Sequence, residues 1–527
     1  MTKHEYLTNV LKINSNEIER FGEDKFKIKL SLLDRLEEKK DGNLILVSAI
    51  NPTSSGEGKT TVSIGLAQGL KYIGKNAIVA LREPSMGPVF GMKGGATGGG
   101  ISSLEPNLDI DLHFNGDLHA ITSANNLLSA LIDNHIYFGN ELKIKEVYWQ
   151  RALDVNDRSL RSIQTKLRDD KFTITAASEM MAILALTSGF KDLKERLNNI
   201  LIGINELDKP IYVKDLGGAD ALALVLKDAI KPNMVFAKEM VPAFVHAGPF
   251  ANIAHGCSSV LGTKMALKLS DYVITEAGFG ADLGMEKFLH IKMPHLNSQV
   301  KLVVVVATIK ALKLHGNVEE DKLDESNLPA LKEGLKNLEK HLENIKMFGL
   351  NSVVAINKFA SDNDDEIKLL EDWAKENNVK YGLSEAFLKG GEGAKDLAQL
   401  VVDNIDNPTN FNRLYENKDD NQLKIEKIAT KVYGAKEVVF SKKALNKLEK
   451  FKDIKIPICI AKTPLSLTGD PKIKGRPENF VLEINDIKVS NGAGLIVALT
   501  KGINVMPGLN KEPRALSFKI NDEGELV

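Results

Sequence analysis

Asn51-Pro52-Thr53-Ser54-Ser55-Gly56-Glu57-Gly58-Lys59-Thr60-Thr61 joins an apolar run to an amphipathic one, and no other stretch of the chain restricts the fold so strongly. Leu44 to Ile50 reads as a buried strand. From Thr60 onward Val62, Leu66, Leu70 and Ile73 recur at helical spacing until Gly74 can act as the C-terminal cap. Ala77 to Leu81 reads as a second strand. The spacing suits a right-handed βαβ unit in which backbone N–H groups of the loop and the helix N-terminus face an anion. Thr53, Ser54, Ser55, Gly56, Glu57, Gly58, Lys59, Thr60 and Thr61 are then expected to hold a nucleotide, ATP. Lys59 would reach its β- and γ-phosphates, and the Thr60 hydroxyl would ligate Mg2+. The first glycine of the usual G-x-x-x-x-G-K-[ST] pattern is Thr53 here, so an ordinary Gly-rich turn competes with the phosphate loop. A regulatory ATPase would carry the same loop, which specifies the ligand before the reaction.

The chain has 527 residues. At roughly 150 residues per domain that length suggests two to four domains. Lys+Arg 69 against Asp+Glu 70 leaves a formal charge of -1, which gives no reason to expect a nucleic-acid or membrane-attracted surface. Cys257 and Cys459 are far apart, which rules out a disulfide framework and any CxxC site and fits a reducing cytoplasm. No apolar leader precedes the first charged residues, and no run approaches the ~18 apolar residues of a membrane span.

Apolar runs at 199–204, 272–275, 302–307 and 353–357 alternate with helical stretches at 178–186 and 328–345. The expected class is α/β, a P-loop NTPase-like, mostly parallel sheet flanked by helices, with two smaller α/β domains toward the C-terminus. The expected division is 1–345, a nucleotide-binding domain; 346–430, a second α/β domain; and 431–527, a third, with short strands at 457–461, 481–489 and 495–499. The charged stretches 361–380 and 416–427 read as surface helices or loops.

Several constellations carry candidate chemistry. Arg82-Glu83-Pro84-Ser85 follows the second strand and is expected beside the loop's own strand, where open parallel sheets bind ligands. The Arg82 fork can hold a carboxylate or phosphate at two points; the competing reading is a surface pair with Glu83. The glycine run Gly94 to Gly100 can be a lid, a close approach to substrate or a mobile loop. The segment from Phe244 to Cys257 holds His246 and His255 without a carboxylate, which favours substrate contacts or structural histidines over a metal site. Glu276 to Gly284 supplies carboxylates and glycines at another strand end. Phe359 and Phe387, the latter before Lys389-Gly390-Gly391-Glu392-Gly393, are either core aromatics or stacking faces for a flat heterocycle.

Taken in order, the loop, Arg82 to Ser85, Gly116-Asp117, Asn156-Asp157-Arg158, the two-histidine segment, Glu276 to Gly284, Lys389 to Gly393 and Cys459-Ile460-Ala461-Lys462-Thr463 closely resemble formate-tetrahydrofolate ligase, the 10-formyltetrahydrofolate synthetase family. The resemblance implies phosphorylation of formate by ATP to formyl phosphate, followed by attack of the N10 amine of tetrahydrofolate. It assigns Arg82 to formyl phosphate, places Glu83 and Asp117 in the same cleft and gives Thr175 to the nucleotide. Lys59, Arg82, Glu83 and Asp117 are thus the candidate catalytic residues, with Phe359 and Phe387 at the pterin. It further implies Mg2+ with ATP, a monovalent cation (K+ or NH4+) and a homotetramer. Phe387 stands where the family usually has a stacking tryptophan. His290-Ile291-Lys292-Met293-Pro294 replaces an Asp-Ile-Lys-Cys-Arg stretch, Ile309-Lys310 a Val-Arg, and Pro464 a glutamine.

Overall fold

The structure is a computed structural model describing residues 1–91 and 96–526. Its centre is a twelve-stranded sheet. The elements that position the candidate site are, in chain order, β1 (Ile18–Phe21), β2 (Lys25–Ile28), β3 (Asn43–Ala49), α1 (Lys59–Tyr72), β4 (Ala77–Leu81), α2 (Asp117–Tyr137), β5 (Asn233–Ala237), β6 (Val241–Val245), α3 (Val260–Leu269), β7 (Tyr272–Glu276), β8 (Val300–Ala307), α4 (Leu328–Met347), β9 (Ser352–Asn357), β10 (Tyr381–Ser384), α5 (Ala386–Gly393) and α6 (Lys395–Asn404). The main strand order is β1-β2-β5-β6-β4-β7-β3-β8-β9-β10. Every pairing from β6 to β10 is parallel, while β1, β2 and β5 form an antiparallel margin.

Alternation along the central strands explains their unbroken apolar runs. Leu44, Leu46, Val303 and Val305 enter one core with Val260 of α3 and Leu335 of α4. Ile45, Val47, Val304 and Val306 enter another with Val62 and Leu66 of α1 and Val401 of α6. With helices on both faces, neither set of side chains meets water, so the strands carry no polar alternation.

The run at 199–204 leaves this sheet. Leu201–Asn205 pairs antiparallel with Pro210–Tyr212 and Ile144–Val147 in a separate three-stranded sheet, because a tight turn folds it back on itself. The run at 481–489 breaks at Asn485 into Val481–Ile484 and Asp486–Ser490, which pair in different small sheets. Because β9 and β10 join the same sheet as β3, the sheet runs across the division expected at 345/346.

Strand β4 does not lie beside β3, as the sequence suggested. The β3–α1–β4 crossover skips one position, and β7 fills it. A third strand end, bearing Glu276, is thereby placed between the loop and Arg82.

Candidate functional site

The segment after β3 turns through Gly56 and Gly58, at φ +83° and +70°, into the first turn of α1. A Cβ on Gly58 would also stand 2.6 Å from Nδ2 of Asn357, at the end of β9. Thr53, in place of the first motif glycine, is accommodated because its N–H donates to Oε1 of Glu57 at 2.7 Å and its carbonyl accepts from Gly56 N–H at 3.2 Å. Glu57 also accepts from the Thr308 hydroxyl at the end of β8, and its carbonyl accepts from Asn357 Nδ2 at 3.1 Å. Burial pushes the Glu57 carboxyl up. Ser54, Ser55 and Gly56 form the exposed tip, with the Ser54 hydroxyl donating to Glu320 at 2.9 Å.

Lys59 and Thr60 begin α1 directly behind this turn. The Thr60 hydroxyl donates to Oε2 of Glu276 at 3.0 Å, and the other Glu276 oxygen is 3.9 Å from the Arg82 guanidinium. Desolvation lowers the Lys59 pKa, opposed by the charges of Glu276 and Glu57, while that of Arg82 adds to the lowering. Among the described residues its ammonium has no ion-pair or hydrogen-bond partner. Arg82 gives one N–H to the Pro249 carbonyl at 3.3 Å, and its Nε is buried without a partner among the described residues. The surface Arg82–Glu83 pair is therefore overturned, since Glu83 points into the protein and is 2% exposed.

Among the described residues no lysine, arginine, amide or hydroxyl donates to either Glu83 oxygen. Burial, then the charge of Asp117, pushes its carboxyl well above the usual range, with Lys27 opposing and Asp154 adding. Asp117 opens α2 behind Gly116, which is left-handed at φ +86°. Its two oxygens accept from Lys27 Nζ and Asn233 Nδ2, each at 2.7 Å. Thr175 is fully buried; its hydroxyl meets that of Thr122 at 2.6 Å and its carbonyl accepts from Ser178 Oγ, so none of its hydrogen bonds goes to the loop.

Asn51 is the anchor of the loop. Its N–H faces His341 Nε2 at 3.1 Å, its Nδ2 donates to Asp282 Oδ1 at 3.2 Å and to the Pro464 carbonyl at 3.1 Å, and its Oδ1 accepts from Asn337 Nδ2 at 3.0 Å. Its own carbonyl meets His315 Nε2 at 2.9 Å. Asp282 in turn pairs with Lys462 at 2.8 Å, both fully buried. Nothing in the sequence marked His315 or His341 as neighbours of the loop, and Lys462 stood in a motif without a place beside it; a lysine or histidine that is buried looks the same in sequence as one that is solvated.

The two histidines of the 244–257 segment differ. His246 is a structural histidine, held by Ser259 Oγ at 2.8 Å and the Ala229 carbonyl at 2.6 Å. His255 is buried with neither ring nitrogen partnered among the described residues, and burial first, then the cations around it, press its pKa well down. The divergent stretch from His290 to Met293 is buried: His290 Nδ1 meets Glu286 at 2.6 Å and its ring stacks on Tyr415 at 4.4 Å.

Phe359 and Phe387 are not core residues, being 37% and 51% exposed. Phe359 follows β9 and has Lys310 Nζ 5.9 Å from its ring centre. Phe387 lies on α5, and a Cβ on Gly99 would meet its ring at 2.8 Å, so the described end of the glycine run makes a close approach. Gly94 and Gly95 lie outside the described residues. Helix α5 packs directly on α1, where a Cβ on Gly65 would stand 2.2 Å from that of Ala386. An aromatic face is thus tied to the helix that begins at Lys59. The arrangement provides cations for an anion, a hydroxyl and carboxylate suited to a hard metal ion, and half-exposed rings for a flat ligand.

A family model described as formate–tetrahydrofolate ligase matches residues 1–527. A formate–tetrahydrofolate ligase of Acholeplasma laidlawii (strain PG-8A) is 69% identical over 527 residues, covering 100% of both chains.

Proposed function

The chain belongs to the formate–tetrahydrofolate ligase family, and from that premise we propose that it ligates formate to tetrahydrofolate using ATP, through formyl phosphate, giving 10-formyltetrahydrofolate, ADP and phosphate. A formate oxygen attacks the γ-phosphorus and the bond to the β-bridging oxygen breaks, leaving ADP. The N10 amine then attacks the formyl carbon, the carbon–oxygen bond to phosphate breaks with its electrons going to phosphate, and N10 loses a proton. Bringing formate to a triphosphate juxtaposes like charges, so the first step needs fixed cations. Lys59, whose ammonium feels the Glu276 charge, and Arg82, 3.9 Å from the same carboxylate, supply them.

The observation that carries this reading is the meeting of Lys59, Thr60, Glu276 and Arg82 at the ends of three neighbouring parallel strands. The Thr60 hydroxyl and the buried Glu276 carboxylate fit Mg2+, and would hold the ion that enters with ATP. When bound, that ion neutralises charge on the transferring phosphoryl group. Thr53 to Thr61 hold the phosphates, Thr175 contributes to nucleotide binding, and Phe359 and Phe387 take the pterin. The same reading includes activation by K+ or NH4+, a homotetramer and a cytoplasmic location. No helix among the described residues is long and apolar enough to cross a membrane, and both cysteines are free and buried.

The test is product formation by purified protein with MgATP, formate and tetrahydrofolate, omitting one substrate at a time. ADP and acid-converted methenyltetrahydrofolate that require all three are expected. ATP hydrolysis without folate product would replace the ligase by a regulatory ATPase.

A further inference from the structure

The antiparallel margin of the sheet sends one charged side chain into the protein toward the site. Lys27, on β2, is fully buried, and its ammonium contacts Asp117 Oδ1 at 2.7 Å and the Lys231 carbonyl at 3.1 Å. A buried lysine is costly to desolvate and is retained only with a partner. Asn233, on β5, holds the other Asp117 oxygen, and Asn115 Nδ2 fixes Asn233 Oδ1 at 2.9 Å. Asp117 is therefore gripped at both oxygens by donors, while Glu83, whose carboxyl feels the Asp117 carboxyl beside it, receives no donor on either oxygen from lysine, arginine, amide or hydroxyl among the described residues. Two carboxyl groups sharing a poorly solvated site do not both ionise readily, and a cation touching one of them decides which keeps the proton.

We propose that Lys27 is a positioning residue for the ligase reaction: its ammonium fixes Asp117 beside Glu83, so that the pair stands behind Arg82 with one carboxylate and one carboxylic acid. This role rests on the ligase reading above. In that state the pair can take a proton or give one, as a step in which N10 loses a proton requires. The other titratable groups around the pair are Asp154, whose charge bears on Glu83, and His246, kept neutral by burial with its pKa lowered to about 4. Asp228 also senses Lys27, from the surface. None of these replaces the contact at 2.7 Å. Burial and the Asp117 charge, which push the Glu83 carboxyl up, agree with the proton residing there.

The test compares the pH profile of kcat for wild-type protein with those of Lys27→Met and Lys27→Arg. Wild-type turnover comes first, and its absence would remove the ligase reading itself. Given turnover, Lys27→Met is expected to lower kcat about tenfold or more. It is also expected to move the acid limb upward by about one pH unit or more, because a cation is removed from beside the buried carboxyl pair. The KM for MgATP should stay within about twofold, since Lys27 touches no part of the loop. Lys27→Arg should return the limb toward its wild-type position. A folded Lys27→Met protein with an unmoved limb, or with MgATP KM rising in step with the loss of kcat, overturns the proposal. Should Lys27→Met fail to fold, Lys27→Gln, which keeps a donor toward Asp117 and removes the charge, takes its place. An upward limb in that variant supports the proposal and an unmoved limb overturns it.

Discussion

Lys462→Met is the most demanding perturbation of the loop's foundation. The Lys462 ammonium pairs with Asp282 at 2.8 Å, donates to the carbonyls of Thr463 at 3.1 Å and Ser466 at 2.5 Å, and lies 4.8 Å from the Tyr433 ring centre. Methionine keeps the stem and removes the charge, leaving Asp282 buried with the Asn51 amide at 3.2 Å as its remaining partner. Breaking a fully buried pair from one side costs about 3–5 kcal/mol. Asp282→Asn should cost less, because Lys462 keeps two carbonyls. The double variant should recover about 2 kcal/mol of the summed losses, because neither charge is then stranded. Urea unfolding followed by the fluorescence of Trp149 and Trp373 gives these differences. Asp282 also holds Asn51, so Lys462→Met should weaken MgATP binding by roughly 2- to 13-fold, the equivalent of one ordinary hydrogen bond at 0.5–1.5 kcal/mol. Single variants costing under about 1 kcal/mol, or a double variant equal to their sum, would refute the view that this pair supports the loop.

The pKa values of His315 and His341, lowered to about 4 chiefly by burial, lie below the ordinary 6.5, so the unfolded chain takes up their protons first. Their stabilisation is complete above pH 6.5 and is lost as pH falls through 4, about 3 kcal/mol for each; urea midpoints measured across that window check it, and His341→Gln should flatten the slope. Phe387→Ala removes a ring that is 51% exposed, so folding should suffer little while the tetrahydrofolate KM rises about 5- to 100-fold and the ATP KM stays put. An unchanged folate KM would remove the stacking assignment. Gly65→Ala puts a Cβ 2.2 Å from that of Ala386, which should cost about 1–3 kcal/mol in urea unfolding and raise the tetrahydrofolate KM by displacing α5. A variant as stable as wild type would show that α1 and α5 can part freely.

The parallel sheet was legible in the sequence because its strands are buried on both faces and write themselves as unbroken apolar runs. The expected strand 77–81 coincides with β4, and the expected helix from Thr60 begins one residue earlier at Lys59. Strand order was not legible. The sequence cannot show that β7 inserts between β3 and β4, and that insertion brings Glu276 to Thr60. The run at 199–204 misled because a short apolar segment reads the same in a central strand as in a small antiparallel sheet. Lys59 could be nominated from the loop pattern, and Arg82 and Glu276 from their places at strand ends. Lys27 and His341 could not, and the buried pairing of Lys462 could not, because their importance comes from partners distant in sequence.

The span over which Asn51 is anchored sets an order on the making of the molecule. The Asn51 amide meets the Pro464 carbonyl across 413 positions of chain, with Asp282, His315 and His341 falling between. At 5–20 residues per second of synthesis, the strand and helix flanking the turn leave the ribosome about 20 to 80 s before its last support does. The earliest signature to be translated is thus among the last parts to become rigid. A nascent chain can close β3 against its neighbours while the turn above it still lacks its final support.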